Sequence, residues 1–468
     1  MTQIPASAKP IRARLSRHGT SPRGRSLGRA RLDIHSIELN EQLRQAVDLI
    51  ERQGHSLFIT GKAGTGKSTL LHYLRATTNK ETVVLAPTGV AALNVGGQTI
   101  HSFFQLPPTL IDPQTIRRWR NTKLLQQLEM LIIDEVSMVR ADVMDGIDVT
   151  LRLSRDNLQT PFGGVQVVLC GDLFQLPPIV RDAELQGFFD ERYGGPYFFL
   201  APVFSALRPY ALELTTMYRQ QDETFIRILN KIREHDLDAE LFAVLNRRVL
   251  STDAMPRREG VITLTTTNEA ALRINRACLE QIPAKLYTYP ASVTGSFEPA
   301  IFPTEQVLEL KLGAQVMMMR NDPERRWVNG TVGTVSALSE QKIRVEISGT
   351  AYEVEPETWQ NVQYRYNRET NRIEEEVIGT FVQYPLRLAW AITIHKSQGQ
   401  TFDRVLIDLG RGAFAHGQVY VALSRCRSLE GIVLSRPVTP RDILFDERIH
   451  GFRQVFPPVP QEMLWGSG

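Results

Sequence analysis

The stretch SLFITGKAGTGKSTLLHYLRA, residues 56–76, limits what this chain can become more than any other. SLFIT is a short apolar run of the kind that forms a buried strand. TLLHYLRA has helical spacing. Between them GKAGTGKS, residues 61–68, matches the pattern G-x-x-x-x-G-K-[ST], and a strand before it and a helix after it are the context in which that pattern cradles phosphate. Gly61, Gly64 and Gly66, with Thr65 among them, let backbone N–H groups close on an anion. The helix opened by Lys67, Ser68 and Thr69 adds its positive end. Lys67 is expected to reach the β- and γ-phosphates of ATP, and Ser68 to ligate Mg²⁺. Such a loop lies at the carboxyl end of a parallel strand, so the fold must be α/β.

The rest of the chain fits that demand. TVVLA (82–86), MLIID (130–134) and VQVVLC (165–170) are apolar runs separated by helical stretches, as in a parallel sheet covered on both faces. A second α/β set begins near GVITLTTTNEAALRINRACL and resumes at LRLAWAITIHKSQ, RVLIDL and GIVLS. Between its halves, VGTVSAL, KIRVEIS and AYEVE alternate polar and apolar residues, which predicts a small antiparallel insert. The expected organisation is a basic tail at 1–36, a first lobe at 37–208, a second lobe at 209–334 and 385–440, a small β-barrel-like insert at 335–384, and a C-terminal tail at 441–468.

The net charge is +3 over 468 residues, but residues 1–32 hold eight Lys or Arg and no acid. The remainder is therefore net −5, so a nucleic-acid site on the folded body must be a local groove. The tail is Pro- and Gly-containing and is expected to be disordered. It reads as a nucleic-acid tether, a solvated leader or a transit peptide. No apolar run approaches the roughly 18 residues of a membrane span, so no membrane partner is expected. Three widely spaced cysteines, without CxxC, support neither a disulfide framework nor a zinc site. A reducing, cytoplasmic compartment is the simplest expectation.

LIIDE ends in two carboxylates. Asp134 is placed to complete a Mg²⁺ shell, and Glu135 to act as the base that orients an attacking water. In LCGDLFQLPPI, Gln175 could sense a γ-phosphate. In LTTMYRQ, Arg219 could serve as an arginine finger or be a surface charge. These features alone define a phosphate-loop NTPase, whether kinase or motor.

Seven stretches then occur in a fixed order: GKAGTGKST, APTGVAALNVGGQTIHSFF, LIIDEVSM, CGDLFQLPPI, LTTMYRQ, LAWAITIHKSQGQTFD and GQVYVALSR. This set, over roughly residues 38–436, resembles the petite-integration-frequency (Pif) helicases, a RecD-related group of superfamily one. The resemblance implies two RecA-like lobes with ATP between them. It also implies movement 5′ to 3′ on single-stranded DNA, opening of duplex at single/double-strand junctions, and action as a monomer. It puts Lys67, Ser68, Asp134, Glu135, Gln175, Arg219 and Arg425 at the ATP site, with Gln42 reading adenine. It gives the loop TIHKSQGQT a double role. His395, Lys396 and Ser397 would contact DNA phosphates, while Gln398, Gly399 and Gln400 face the nucleotide. On the first lobe, Thr88, His101 and Ser102 would donate to phosphates, and Phe103 or Phe104 would stack a base, with one of the two expected in the core. The alternative is an ATP-gated single-strand binding or remodelling factor that does not unwind. A small-molecule phosphotransferase leaves TIHKSQG and ALSR without a purpose.

Overall fold

In the computed structural model, the described residues are 39–119, 122–180, 182–218, 220, 222–250 and 260–464. The expected tail at 1–36 lies outside them. In chain order the strands are β1 (Leu57–Gly61), β2 (Thr82–Ala86), β3 (Gln98–Thr99), β4 (Met130–Ile133), β5 (Gln166–Cys170), β6 (Tyr210–Leu214) and β7 (Ile262–Thr265). Then follow β8 (Tyr287–Pro290), β9 (Ser292–Gly295), β10 (Val307–Leu310), β11 (Gln315–Met318), β12 (Val332–Leu338), β13 (Ile343–Ile347) and β14 (Thr350–Val354). The last are β15 (Glu357–Asn367), β16 (Arg372–Gln383), β17 (Leu386–Leu388), β18 (Ala391–Thr393), β19 (Val405–Asp408) and β20 (Ile432–Leu434).

The first lobe is a parallel sheet in the order β3-β2-β4-β5-β1-β6. Strands β4, β5 and β1 are neighbours, so the loops at their carboxyl ends lie side by side. Those loops carry Asp134 and Glu135, Asp172 to Gln175, and the phosphate loop. Burial on both faces explains the unbroken apolar runs: β1 is buried at every position, and β4 likewise. The second lobe is a smaller parallel sheet, β18-β7-β19-β20.

Three boundaries differ from the sequence expectation. Strand β6 pairs with β1 from Leu57↔Tyr210 to Gly61↔Leu214, so the first lobe extends past 208 to at least 214. The insert cannot begin at 335, because β12 spans Val332–Leu338. Antiparallel pairing already starts at β8, which pairs with β10. The insert is also not one small barrel. Strands β14-β13-β12-β11-β17 form one sheet, and the long hairpin β15–β16 pairs with β9 in another. That hairpin reaches back to the first lobe. The Tyr364 hydroxyl lies 3.2 Å from Val84 N and 3.4 Å from Val84 O, completing a stretch of β2 that the two-residue β3 leaves bare. Ile373 N donates to Glu81 at 2.7 Å, and Arg75 pairs with Glu375.

The third difference is residues 441–468. They were expected as a tail, yet Phe452 and Phe456 sit in the first lobe's core beside Phe58, with centroids 5.9 and 5.2 Å away. Ala211 N donates to Pro457 O, and Val459 N to Ala211 O, so the segment adds to the β6 edge. Its buried residues, Phe452, Phe456 and Val459, are few and interrupted by prolines, so the strap leaves no strand or helix signal of useful length. Among the described residues, no helix is long and apolar enough to cross a membrane.

Candidate functional site

The phosphate loop is built by backbone geometry that few residues accept. Gly61, Gly64 and Gly66 have φ of 149°, 84° and 92°. A Cβ on Gly61 would meet Leu214 O at 2.5 Å, so a side chain there would push β6 away. Gly66 is the N-cap of the helix Lys67–Thr77, which aims the helix's free N–H groups at the loop. Thr65 Oγ1 donates to Lys62 O at 2.9 Å and braces the turn. Lys67 Nζ donates to Gly61 O at 2.6 Å and Lys62 O at 3.0 Å, which holds an ammonium over the loop. Ser68 and Thr69 are exposed on the first helical turn.

Across from the loop, Glu135 has φ 49° and ψ 40°, and its N–H donates to Asp134 Oδ1 at 2.9 Å. A non-glycine residue in left-handed backbone marks a spot where side-chain direction matters more than local comfort. Burial and then the adjacent Asp134 push the Glu135 carboxyl up to about 7; Lys67 and Arg425 pull it back. Burial likewise raises Asp134, whose carboxylate faces the Cys170 thiol. Gln175 is buried and donates to Asp172 Oδ2 at 3.3 Å. Gln42 is held at the other end: it accepts from Thr215 N at 3.0 Å, and its Nε2 donates to Glu213 O at 3.4 Å. Beside it stands Tyr218, 56% exposed, whose hydroxyl accepts from Asn40.

The second lobe closes the cleft. Ala63 of the phosphate loop is hydrogen-bonded through its backbone to the Tyr420 hydroxyl. Gln220 donates to Ser424 O at 3.1 Å and Cys426 O at 3.2 Å, pinning the segment after Arg219 to the helix Gln418–Ser424. Arg219 itself lies outside the described residues. Arg425 is 1% exposed. Its guanidinium donates to Val421 O at 3.1 Å, Ser424 Oγ at 2.8 Å, Ser397 O at 3.3 Å and Gln400 O at 3.4 Å. One side chain therefore organises the TIHKSQGQT loop while acting on Glu135. In that loop Gln398 Nε2 and Gln400 Oε1 are buried without a hydrogen-bond partner among the described residues, and Gly399 has φ 77°.

The expected DNA contacts divide. Thr88 is exposed and caps the helix Gly89–Val95 by accepting from Ala91 N. Ser102 is exposed, and its hydroxyl accepts from Gln98. His101 is half-buried; burial, then Arg140, hold its imidazole below the ordinary pKa. Lys396 is exposed. His395, lowered by burial, stacks on exposed Phe414 at 13° between planes. Burial thus disfavours the imidazolium form at both positions, which suits them to N–H donation.

Two expectations do not hold. Phe103 is not a stacking platform: it and Phe104 are each 2% exposed, and Phe103 packs on Phe104, Trp119 and Tyr364. Ser397 is fully buried, and its hydroxyl donates to Ile394 O at 2.8 Å instead of facing a phosphate. Ser397→Ala should accordingly cost about 1 kcal/mol of stability, the value of one net hydrogen bond. Thermal denaturation checks this, and single-strand affinity should stay within roughly threefold of wild type, under 1 kcal/mol. Tyr218 and Tyr420 were not picked out from the sequence. Their signal was membership of the stretches LTTMYRQ and GQVYVALSR, which also hold Arg219 and Arg425.

Fold and site together define a two-lobed protein of the RecA-like phosphate-loop class. Residues 38–241 match the family described as PIF1-like helicase, and 299–338 match the DNA helicase Pif1 2B domain. The chain belongs to the PIF1-like helicase family. It is 32% identical over 439 residues to the ATP-dependent DNA helicase Pif1 of Bdellovibrio bacteriovorus, covering 91% of this chain and 94% of that one. It is 35% identical over 407 residues to human ATP-dependent DNA helicase PIF1, covering 81% of this chain and 58% of the human one. The chain thus spans somewhat over half the length of that relative. The crystal structure of Bacteroides Pif1 in complex with ADP-AlF4 superimposes with a TM-score of 0.83 at 38% identity, over 90% of this chain and 97% of that one.

Proposed function

We propose that this chain is an ATP-dependent DNA helicase that moves 5′ to 3′ on single-stranded DNA and opens duplex at junctions. The observation that carries the reading is Arg425. Its guanidinium holds the carbonyls of the loop bearing His395 and Lys396, and its charge acts on Glu135. A group shared in this way couples grip on DNA to hydrolysis, because two ligands biasing one element must each report the other's occupancy.

In this reading Lys67 and the amides of Gly64, Gly66 and Thr69 hold the phosphates, and Gln42 reads adenine beside Tyr218. The hydroxyl of Ser68 and the carboxylate of Asp134 are hard oxygen donors suited to Mg²⁺. That ion typically takes few protein ligands alongside substrate phosphates, in keeping with the lack of any three-ligand cluster among the described residues. When bound, Mg²⁺ would neutralise phosphate charge. Glu135 draws a proton from water as it attacks the γ-phosphorus, while Gln175 orients that water. Arg425 and Arg219 stabilise the charge that develops, and ADP leaves. Gln398, Gly399 and Gln400 face the nucleotide. Thr88, His101, Ser102, His395 and Lys396 line the strand's path as phosphate donors. The reading places the protein in the cytoplasm, working as a monomer.

Strand displacement on 5′-tailed and 3′-tailed duplexes tests it. With ATP, only the 5′-tailed duplex should open. DNA-stimulated ATP hydrolysis without displacement on either would favour the remodelling factor instead.

A further inference from the structure

Arg233 is 4% exposed and lies outside the motifs that mark the site. It ends the helix Glu223–Arg233, which packs on Gln418–Ser424 of the second lobe. Its guanidinium nevertheless points into the first lobe. Nη2 lies 3.4 Å from Asp172 Oδ1 and 3.5 Å from Glu213 Oε1. Its Cζ sits 4.0 Å from the centre of the Phe174 ring. Nε has no hydrogen-bond partner among the described residues.

The groups it touches lead to both ends of the nucleotide site. Asp172 accepts from Phe174 N at 3.2 Å through Oδ1 and from Gln175 Nε2 at 3.3 Å through Oδ2. Glu213 O accepts from Gln42. A leucine would cover Phe174 without desolvating a charge. An arginine here is explained by what it does to Asp172. It pairs with a 1% exposed carboxylate that accepts from Gln175 Nε2, and so fixes the rotamer of Gln175. Because the cation arrives from the opposite lobe, this fixing exists only while the lobes are seated together.

We propose that Arg233 is a positioning residue for ATP hydrolysis, acting across the lobe interface through Asp172 to aim Gln175. The proposal rests on the ATP-driven reading above and deepens it. Arg233 does not touch the reacting atoms. It makes the Asp172–Gln175 loop competent in the closed arrangement and slack in the open one.

The test uses the full chain with saturating single-stranded DNA. Arg233→Lys keeps the charge but loses the planar fork and the flat stack on Phe174. ATP kcat should fall at least about tenfold, with KM within about threefold and the melting temperature near wild type. In a Gln175→Ala background, the same change should cost less than about twofold, because the group it aims is gone. Wild-type kcat in Arg233→Lys, or an equal loss with and without Gln175, would overturn the role. So would a loss fully explained by a lower titre of active sites. Should Arg233→Lys not fold, Asp172→Asn removes the same ion pair and must show the same kcat loss. Absence of ATP turnover in wild type would remove the ATP-driven reading itself, a different result from a working enzyme indifferent to Arg233.

Discussion

Glu135→Gln is expected to cut ATP turnover by about 10²–10⁴, the usual weight of a general base, while nucleotide binding persists. The amide has the carboxylate's shape, so the left-handed turn at φ 49° is undisturbed. What is lost is basicity, which burial and Asp134 have raised to about 7 at this position. Removing one negative charge beside the phosphates should hold or tighten nucleotide affinity. A fluorescent ATP analogue measures binding, and single-turnover hydrolysis measures chemistry. Lys67→Ala should show the opposite balance, losing affinity along with turnover, because the ammonium contacts the ground state as well. Near-normal turnover in Glu135→Gln would sink the assignment.

Arg425→Ala carries a second loss of similar size. Removal of a cation that meets the transferring phosphoryl costs on the order of 10³ in rate. Here the guanidinium also holds Ser397 O and Gln400 O, so the loop beneath His395 and Lys396 loosens at the same time. Basal hydrolysis and its stimulation by DNA should therefore both fall. Arg425→Lys separates the two parts: the charge returns, but a single ammonium cannot span four acceptors. Partial recovery of basal hydrolysis without recovery of DNA stimulation is the expected pattern. Recovery of both together would show that only the charge matters.

The parts of this site legible from sequence are those fixed by a few consecutive residues. GKAGTGKS needs three positive-φ glycines and a helix start, and those demands are written locally. LIIDE is a buried strand with acids at its end, which its unbroken apolar run and its length reveal. Phe103 and Ser397 were misread for a shared reason. TIHSFF mixes polar and aromatic residues and TIHKSQG looks polar and loop-like, but burial at each position is decided by distant chain. Tyr364, far along in the insert, closes over Phe103. Arg425 draws the Ser397 carbonyl inward. The domain limits failed where a strand joins a sheet made mostly of earlier residues, as β6 does with β1, since pairing partners leave no mark in local pattern. Arg233 was invisible because its helix has ordinary amphipathic spacing, and only the facing lobe shows why a cation ends it.

The strap formed by residues 452–459 has a bearing on how the protein is made. Phe58 lies in the first of the described strands, yet two of the rings it packs against, Phe452 and Phe456, belong to nearly the last residues described. A nascent first lobe therefore waits with an unfinished apolar surface while the whole second lobe is synthesised. Domains usually fold as units in order of emergence; here the lobe made first is the one sealed last. A chain stalled or clipped before Phe452 would leave that apolar surface uncovered.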